Sequence, residues 1–255
     1  MIVRPADGDY ILISQVDHAR IAVEIARSWR LPSRLDDLRK EFLFAVEHHD
    51  DGWRDWERAP TIVDGAPRNF MDMPMPVATG IWSESVDVAA ANSPWGGLWV
   101  SRHFCHLAEL AIAHRTDPAD RASAERFLAE HVVAQQRWRA SLCVETDFPA
   151  ELTGLHGVQF FDRLSLWLCC EERTAPQDFI DPAGNRSTWS PEKASQIRIT
   201  GNGFLGSDLE LNVPTISIPR QNYASDAELR AAVSRGDRGL LTWTVISTPG
   251  ISPEG

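Results

Sequence analysis

The chain has 255 residues, of which 43% are apolar and 24% are charged, a composition typical of a globular protein with a sizeable core. Its net charge of −11 argues against nucleic acid or an anionic membrane as a partner and leaves a small-molecule substrate. We expect no signal peptide and no transmembrane helix, since no apolar run approaches about 18 residues. The four cysteines form no Cys-x-x-Cys motif, which favours reduced thiols in a cytoplasmic protein.

Five helices are predicted over the first two thirds of the chain. Ser14 with Asp17 has the spacing of a capping box at the first helix. Ser93-Pro94 and Asp117-Pro118 each place a proline at the first position of a later helix. Gly52 is expected to end the second helix. After an extended segment over residues 1–13, the predicted helices span residues 14–29, 33–49, 93–114, 117–144 and 149–172.

The stretch between the second and third helices, residues 53–92, is rich in Pro, Met, Asp and Trp and shows little hydrophobic periodicity. Irregular segments of this length are uncommon inside compact domains and are usually lids or binding loops. We therefore expect residues 53–92 to form a long loop or lid.

The composition changes after residue 174. Apolar and polar residues alternate around residues 197–199, 209–213 and 216–218, which indicates short strands, and a last strand is predicted over 240–247. Ser225 with Glu228 predicts a short helix that stops at Gly236. We therefore predict a mainly α protein, with a helical domain over residues 1–174 and a small β-rich (α+β) extension over residues 175–255 packed on it.

Several residues in the predicted helices are candidate metal ligands. A His-Asp pair, His49-Asp50, ends an apolar helix just before a glycine. Asp162 lies inside an otherwise apolar helix, where a carboxylate is rarely buried without a partner. Imidazole and carboxylate together suit Fe, Mn, Zn or Ni, so we expect one or two divalent ions. The predicted ligands are His18, His49, Asp50, His103 and Asp162.

The segment VEHHDDG at residues 46–52 resembles the signature of the HD superfamily, which are helical metal-dependent proteins. That signature is a His, then a His-Asp pair at a helix end, then a distant Asp. The resemblance implies an HD-domain-like helical bundle, with metal-dependent hydrolysis as the commonest activity. The signature positions fall on His18, His49, Asp50 and Asp162.

A narrower resemblance links the chain to an uncharacterised bacterial family of HD-like proteins. It rests on QVDHA at residues 15–19, HDDGWRDW at 49–56, GAPRNF at 65–70 and VSRH at 100–103. This family implies no settled activity. Many HD phosphohydrolases carry a Lys or His shortly after the His-Asp pair, whereas this chain has Asp51 and Trp53, which argues against ordinary nucleotide hydrolysis.

The number of ions depends on His103. Two-metal members of the superfamily add a histidine on the third helix, and His103 lies there, with His106 or His131 as candidate ligands of a second ion. Asp50 would then bridge the two ions.

Other polar and aromatic residues are candidates for catalysis or substrate binding. Asp51 is a candidate general base beside the metal. The candidate substrate-binding residues are Gln15 and Trp53, which lie near the ligands in sequence, and Arg68 and Arg102, which would clamp an anion.

Three functions remain open at this point. The first is a hydrolase that uses a metal-activated water on a small substrate, phosphorylated or otherwise anionic. The second is a di-iron oxygenase acting on a small organic substrate, and the third is a non-catalytic, metal-containing binding protein. We favour the hydrolase, with a homodimer left open.

Overall fold

The computed structural model describes residues 1–170, 175–193, 195–206 and 208–248. Seven strands from the two ends of the chain form one curled, mixed sheet. The strands are β1 (Ile2–Ala6), β2 (Asp9–Ile13), β5 (Gln177–Ile180), β6 (Arg186–Lys193), β7 (Gln196–Thr200), β8 (Asp208–Pro219) and β9 (Asp237–Thr248); β3 (Ile62–Val63) and β4 (Ala66–Pro67) form a separate hairpin. The order is β1-β2-β8-β9-β7-β6-β5, and all neighbours are antiparallel except β7 and β9.

Four of the described helices begin where the sequence predicted a cap, after Ser14, Ser93, Asp117 and Ser225. Ser14 accepts a hydrogen bond from the Asp17 N–H, and Ser93 and Ser225 cap later helices in the same way. The described part of the fifth predicted helix ends at Cys169, and its last predicted residues lie outside the described residues. None of the described helices is long and apolar enough to cross a membrane. The helices are α1 (Gln15–Arg27), α2 (Arg39–His48), α3 (Trp53–Glu57), α4 (Met75–Asn92), α5 (Pro94–His114), α6 (Pro118–Leu142), α7 (Pro149–Cys169) and α8 (Asp226–Arg235).

The prediction of a mainly α, HD-domain-like bundle with a small β-rich extension is wrong, because the sheet is large and spans much of the chain. The extended segment at residues 1–13 is a hairpin that turns at Gly8 (φ +77°), and β2 pairs with β8 so that Asp9 lies opposite Pro219. Local periodicity indicates a strand but not its partner some 200 residues away, so the extent of the sheet was missed. The division at residue 174 stays a prediction.

The predicted long loop at residues 53–92 is also wrong for most of its length, because it contains α3 and α4. Prolines at positions 74 and 76 suggested a loop, yet proline is tolerated in the first turn of a helix. The buried face of α4 includes Ala78, Ser85 and Ala89, so its periodicity carries little hydrophobic signal. The second predicted helix also begins later than expected, at Arg39.

An aromatic cluster joins the helices to the sheet. Trp29, just after α1, is fully buried and packs on Phe160 of α7, with ring centroids 5.1 Å apart, and on Trp189 of β6 at 6.3 Å. A Cβ atom on Gly203 would lie 2.3 Å from the Trp29 ring, so only glycine fits there. The cluster therefore anchors α1 and α7 to the same sheet.

Gly52 is required for close packing rather than for a left-handed backbone. A glycine C-cap has a left-handed backbone, but the φ of Gly52 is −63°, so Gly52 is not the C-cap that was predicted. Its N–H donates to Ser85 Oγ at 3.0 Å, and a Cβ atom would lie 2.0 Å from the Ile81 carbonyl oxygen. The turn after the His-Asp pair therefore lies directly on the backbone of α4.

We predict that Gly52→Ala destabilises the protein by about 1–3 kcal/mol or more, because backbone must move to admit the methyl group. The matched control is Gly80→Ala on α4, where an added Cβ meets no described atom within 4 Å. This control should stabilise the fold by up to about 1 kcal/mol. Urea unfolding of the two variants tests the pair, and equal midpoints would contradict the packing argument.

Candidate metal centre

Four predicted ligands meet at one buried point. His18 lies on α1, His49 and Asp50 lie at the end of α2 and in the turn after it, and Asp162 lies on α7. One donor atom from each lies within 4.8 Å of all the others. His18 Nε2 is 2.7 Å from Asp50 Oδ2, and His49 Nε2 is 3.2 Å from Asp162 Oδ1. This group of four residues, called the cluster from here on, can hold a metal ion, as the sequence predicted.

Hydrogen bonds at the far side of each ring orient the two histidines. The Ser165 hydroxyl donates to the Asp162 carbonyl oxygen at 2.9 Å, so Ser165 Oγ accepts from His18 Nδ1 at 2.9 Å. His49 Nδ1 donates to the Val46 carbonyl oxygen at 2.8 Å. In the neutral form each ring therefore presents an Nε2 lone pair to the cluster, which is the usual arrangement of metal-binding histidines. Ser165 was missed from the sequence, although its position three residues after Asp162 was a usable signal.

The cluster is buried and rich in negative charge. No described arginine or lysine pairs with Asp50 or Asp162, whose charged partners are histidines. Burial opposes protonation of His49, but the two carboxylates and the Val46 carbonyl outweigh it and raise the pKa of His49 to about 9. Burial would raise the pKa of Asp162, yet His49, with His103 and His18, holds it below its usual range. The donor set fits a divalent cation, which would balance both carboxylates.

His103 lies beside the group of four without belonging to it. Its Nε2 is 3.8 Å from Asp162 Oδ2, and its ring stands perpendicular to that of His49 at 5.7 Å. Its buried Nδ1 has no hydrogen-bond partner among the described residues. Burial, only partly offset by Asp162, lowers the pKa of His103 to about 4, so the ring is neutral at pH 7.

The structure does not bring the two candidate second-metal ligands to the cluster. The His106 side chain is 52% exposed, and its nearest ionic partner is Glu109 at 3.9 Å. His131 lies between Ser101 Oγ at 3.1 Å and Ser83 Oγ at 3.4 Å. The described residues therefore assemble one set of donors, with His103 beside it.

Asp51, the predicted general base, is held in ion pairs at the helix end. Its carboxylate lies 2.9 Å from His48 Nδ1 and 2.7 Å from Arg54. Burial opposes the effect, but these two partners lower the pKa of Asp51. Asp51 does not line the cavity described next, so the geometry gives it no access to a substrate there.

A cavity of about 580 Å³ adjoins the cluster and is lined by Asp50, His103 and Asp162. Two of the predicted substrate-binding residues, Gln15 and Trp53, also line it. The rest of the described wall is mainly aromatic, thioether or aliphatic, and consists of Phe70, Met71, Met73, Met75, Ala78, Trp82, Phe104, Leu107, Leu110, Ala111, His114, Arg115 and Leu166. A mostly apolar wall with a few polar groups is characteristic of small-molecule sites.

The other two predicted substrate-binding residues lie elsewhere. Arg68 donates to the carbonyl oxygens of Ile62 and Asp72 at 3.1 and 3.0 Å and so ties together the segment before α4. Arg102 pairs with Asp147 at 2.8 Å and with the buried Glu151. Neither arginine lines the cavity beside the cluster, and both already have partners.

Arg115, which the sequence did not single out, links the cavity wall to α6. Its guanidinium lies 2.8 Å from Asp120 Oδ2 and donates to the Met71 carbonyl oxygen at 3.4 Å. Asp120 also accepts from the Met75 N–H at 2.8 Å. This pair therefore holds the segment over residues 70–75 against the cavity, and no local motif in the sequence signals it.

We predict that Asp50→Ala lowers the metal content of the purified protein to less than about a tenth of that of the unmutated protein, because one donor and one compensating charge are lost. His106→Ala is the matched control and should retain its metal, since His106 lies outside the group. Elemental analysis of both proteins, purified in parallel, measures the effect. Undiminished metal in Asp50→Ala would show that the site is elsewhere.

The raised pKa of His49 predicts how the stability of the metal-free protein depends on pH. The stabilisation from its proton is complete below pH 6.5 and is lost as the pH rises through about 9. At about 1.4 kcal/mol per pKa unit, the loss approaches roughly 3 kcal/mol. Urea unfolding of chelator-treated protein should show this decline, whereas metal-loaded protein should not. A midpoint that rises over this range in the chelated protein would contradict the assignment.

Comparison with known proteins places the chain in a family without assigning an activity. No curated protein and no solved structure matches the chain. The family described as "Protein of unknown function (DUF3891)" matches residues 1–220, a range that includes all four clustered ligands and β1 to β8. Because the match covers more than half of the sequence, the chain belongs to the DUF3891 family.

Proposed function

We propose that the protein is a metal-dependent hydrolase of the HD type that acts on a small molecule bound in the cavity beside the cluster. The observation that supports this most is that His18, His49, Asp50 and Asp162 form a buried donor group at the edge of that cavity. Asp50 and Asp162 also line the cavity, so a ligand there would touch the same carboxylates. A bound divalent ion supplies Lewis acidity, which acidifies water and polarises the bond to be cleaved.

The chain's own groups have distinct roles in this proposal. His18 and His49 would hold the ion through Nε2, and Ser165 and the Val46 carbonyl orient the two rings. Asp162 is shared between the cluster and His103, because its Oδ1 faces His49 and its Oδ2 faces His103.

His103 is the group we assign to proton transfer. It lines the cavity, lies outside the donor group and is neutral at pH 7, so its ring can accept a proton, whose charge the Asp162 carboxylate 3.8 Å away offsets in part. His103 therefore replaces Asp51 as the proposed proton acceptor.

We propose one ion per chain, because His106 and His131 lie away from the group. Two imidazoles with two carboxylates suit Mn, Fe or Zn, with Ni as a further candidate. A di-iron oxygenase remains the second candidate for one reason: the extra buried histidine, His103, lies next to Asp162. Two irons per chain together with uptake of O₂ would favour that alternative.

We predict that protein loaded separately with Mn, Fe, Zn or Ni hydrolyses at least one of a small panel of 4-nitrophenyl phosphates, esters and anilides. His103→Gln should lower kcat by about 100-fold, within the range for loss of one general acid–base group, while metal content is unchanged. Asp51→Asn is the matched control and should change kcat less than about threefold, because Asp51 is not among the residues that line the cavity.

Two results would contradict the proposal in different ways. Absence of hydrolysis with every metal and every member of the panel would remove the hydrolase. Full activity in His103→Gln would be consistent with the proposed hydrolase activity but would show that His103 does not transfer the proton.

A further inference from the structure

We propose that the cavity binds a neutral, predominantly apolar molecule with one hydrogen-bond donor beside the reacting bond, and that a secondary amide is the substrate class. This inference rests on the proposed hydrolase for the reaction but not for the binding. In the reaction, the oxygen of water forms the new C–O bond, the C–N bond breaks, and the amine leaves with a proton.

The wall of the cavity favours an apolar ligand. Apart from His114 and Arg115, the wall away from the cluster is built from aromatic and thioether side chains, such as Trp82, Phe104 and Met75, with leucines from α5 and α7. These groups offer no hydrogen bonds beyond the indole N–H, and burying apolar surface against them is the main source of affinity. At about 580 Å³, the cavity has the size of sites that hold drug-sized molecules.

The charges around the cavity do not favour a phosphate group. Asp50 and Asp162 line it, and a divalent ion bound between them would leave a site of about zero net charge. Among the described lining residues, Arg115 is the one arginine or lysine, and it already pairs with Asp120. A phosphate dianion would therefore face both carboxylates without gaining a free arginine or lysine from the described lining residues. The expectation of a phosphorylated or anionic substrate is replaced accordingly.

Gln15 supplies the specific polar contact. Gln15 as a whole residue is 2% exposed, and it lines the cavity one helical turn before His18. Its Oε1 has no hydrogen-bond partner among the described residues, and an orphaned buried acceptor carries a free-energy cost. The N–H of a secondary amide bound next to the cluster would satisfy this acceptor. An ester of the same shape has no hydrogen to donate.

Binding can be tested without turnover by using N-phenyl-1-naphthylamine, a neutral apolar fluorophore that carries one N–H. We expect saturable binding to metal-free and metal-loaded protein alike, and no competition from inorganic phosphate. Ala111→Phe narrows the cavity and should weaken binding by at least tenfold. Ala113→Phe, on an exposed position of the same helix, should leave binding unchanged.

The role of Gln15 can be tested with a pair of probes. Gln15→Met keeps the length of the side chain but removes the acceptor. It should therefore raise the Kd for N-phenyl-1-naphthylamine, the probe with an N–H, by about five- to tenfold. The Kd for the N-methylated compound, which has no N–H, should change by less than twofold. Equal effects on both probes would remove Gln15 from donor recognition, since a purely structural role would affect both.

Turnover separates this inference from the proposed hydrolase. We expect butyryl 4-nitroanilide to be hydrolysed with a higher kcat/KM than 4-nitrophenyl phosphate, and Gln15→Met to raise KM for the anilide more than for 4-nitrophenyl butyrate. If the fluorophore binds as described but no compound is hydrolysed, the hydrolase fails and the ligand class stands. If only the phosphate is hydrolysed and the fluorophore does not bind, the ligand class fails and the hydrolase stands.

Discussion

The charge balance of two buried carboxylates is the constraint on which the site depends. Asp50 and Asp162 approach the same pair of imidazoles, and no described lysine or arginine pairs with them. Buried carboxylates need a counter-charge, which a proton on His49 supplies only in part. A divalent cation meets this need fully. The donor group can therefore hold a metal ion that balances both carboxylates.

Holding these carboxylates together requires three separate segments to be rigid. Trp189 of the sheet packs on Trp29 at the end of α1, and Trp29 packs on Phe160 of α7. These contacts fix α1 relative to α7, and with them His18 relative to Asp162. The helix α4 contributes from the other side by packing directly on Gly52. The β structure and α4 are therefore part of the support of the metal centre, although neither provides a ligand.

Local rules indicated three of the four clustered residues, His49, Asp50 and Asp162, whereas His18 was indicated by its place in the HD signature. A His-Asp pair at a helix end and a carboxylate in an apolar helix are both visible within a few residues, as are the caps at Ser14 and Ser93. Local rules did not indicate which of the arginines lies at the cavity. Arg68, Arg102 and Arg115 are alike in sequence, and only their tertiary partners decide which of them lies at the cavity.

The sequence by itself determined where the capped helices α1, α5, α6 and α8 start, that the candidate metal ligands include the four clustered residues, and that the last third contains strands. Tertiary structure alone decided that β2 pairs with β8, that α4 exists beneath a weak hydrophobic pattern, and that Gln15 lines the cavity while its buried Oε1 has no partner among the described residues. The reason is physical. Capping and periodicity are interactions between near neighbours, whereas sheet pairing, close glycine contacts and the fate of a buried polar atom depend on segments far apart in the chain.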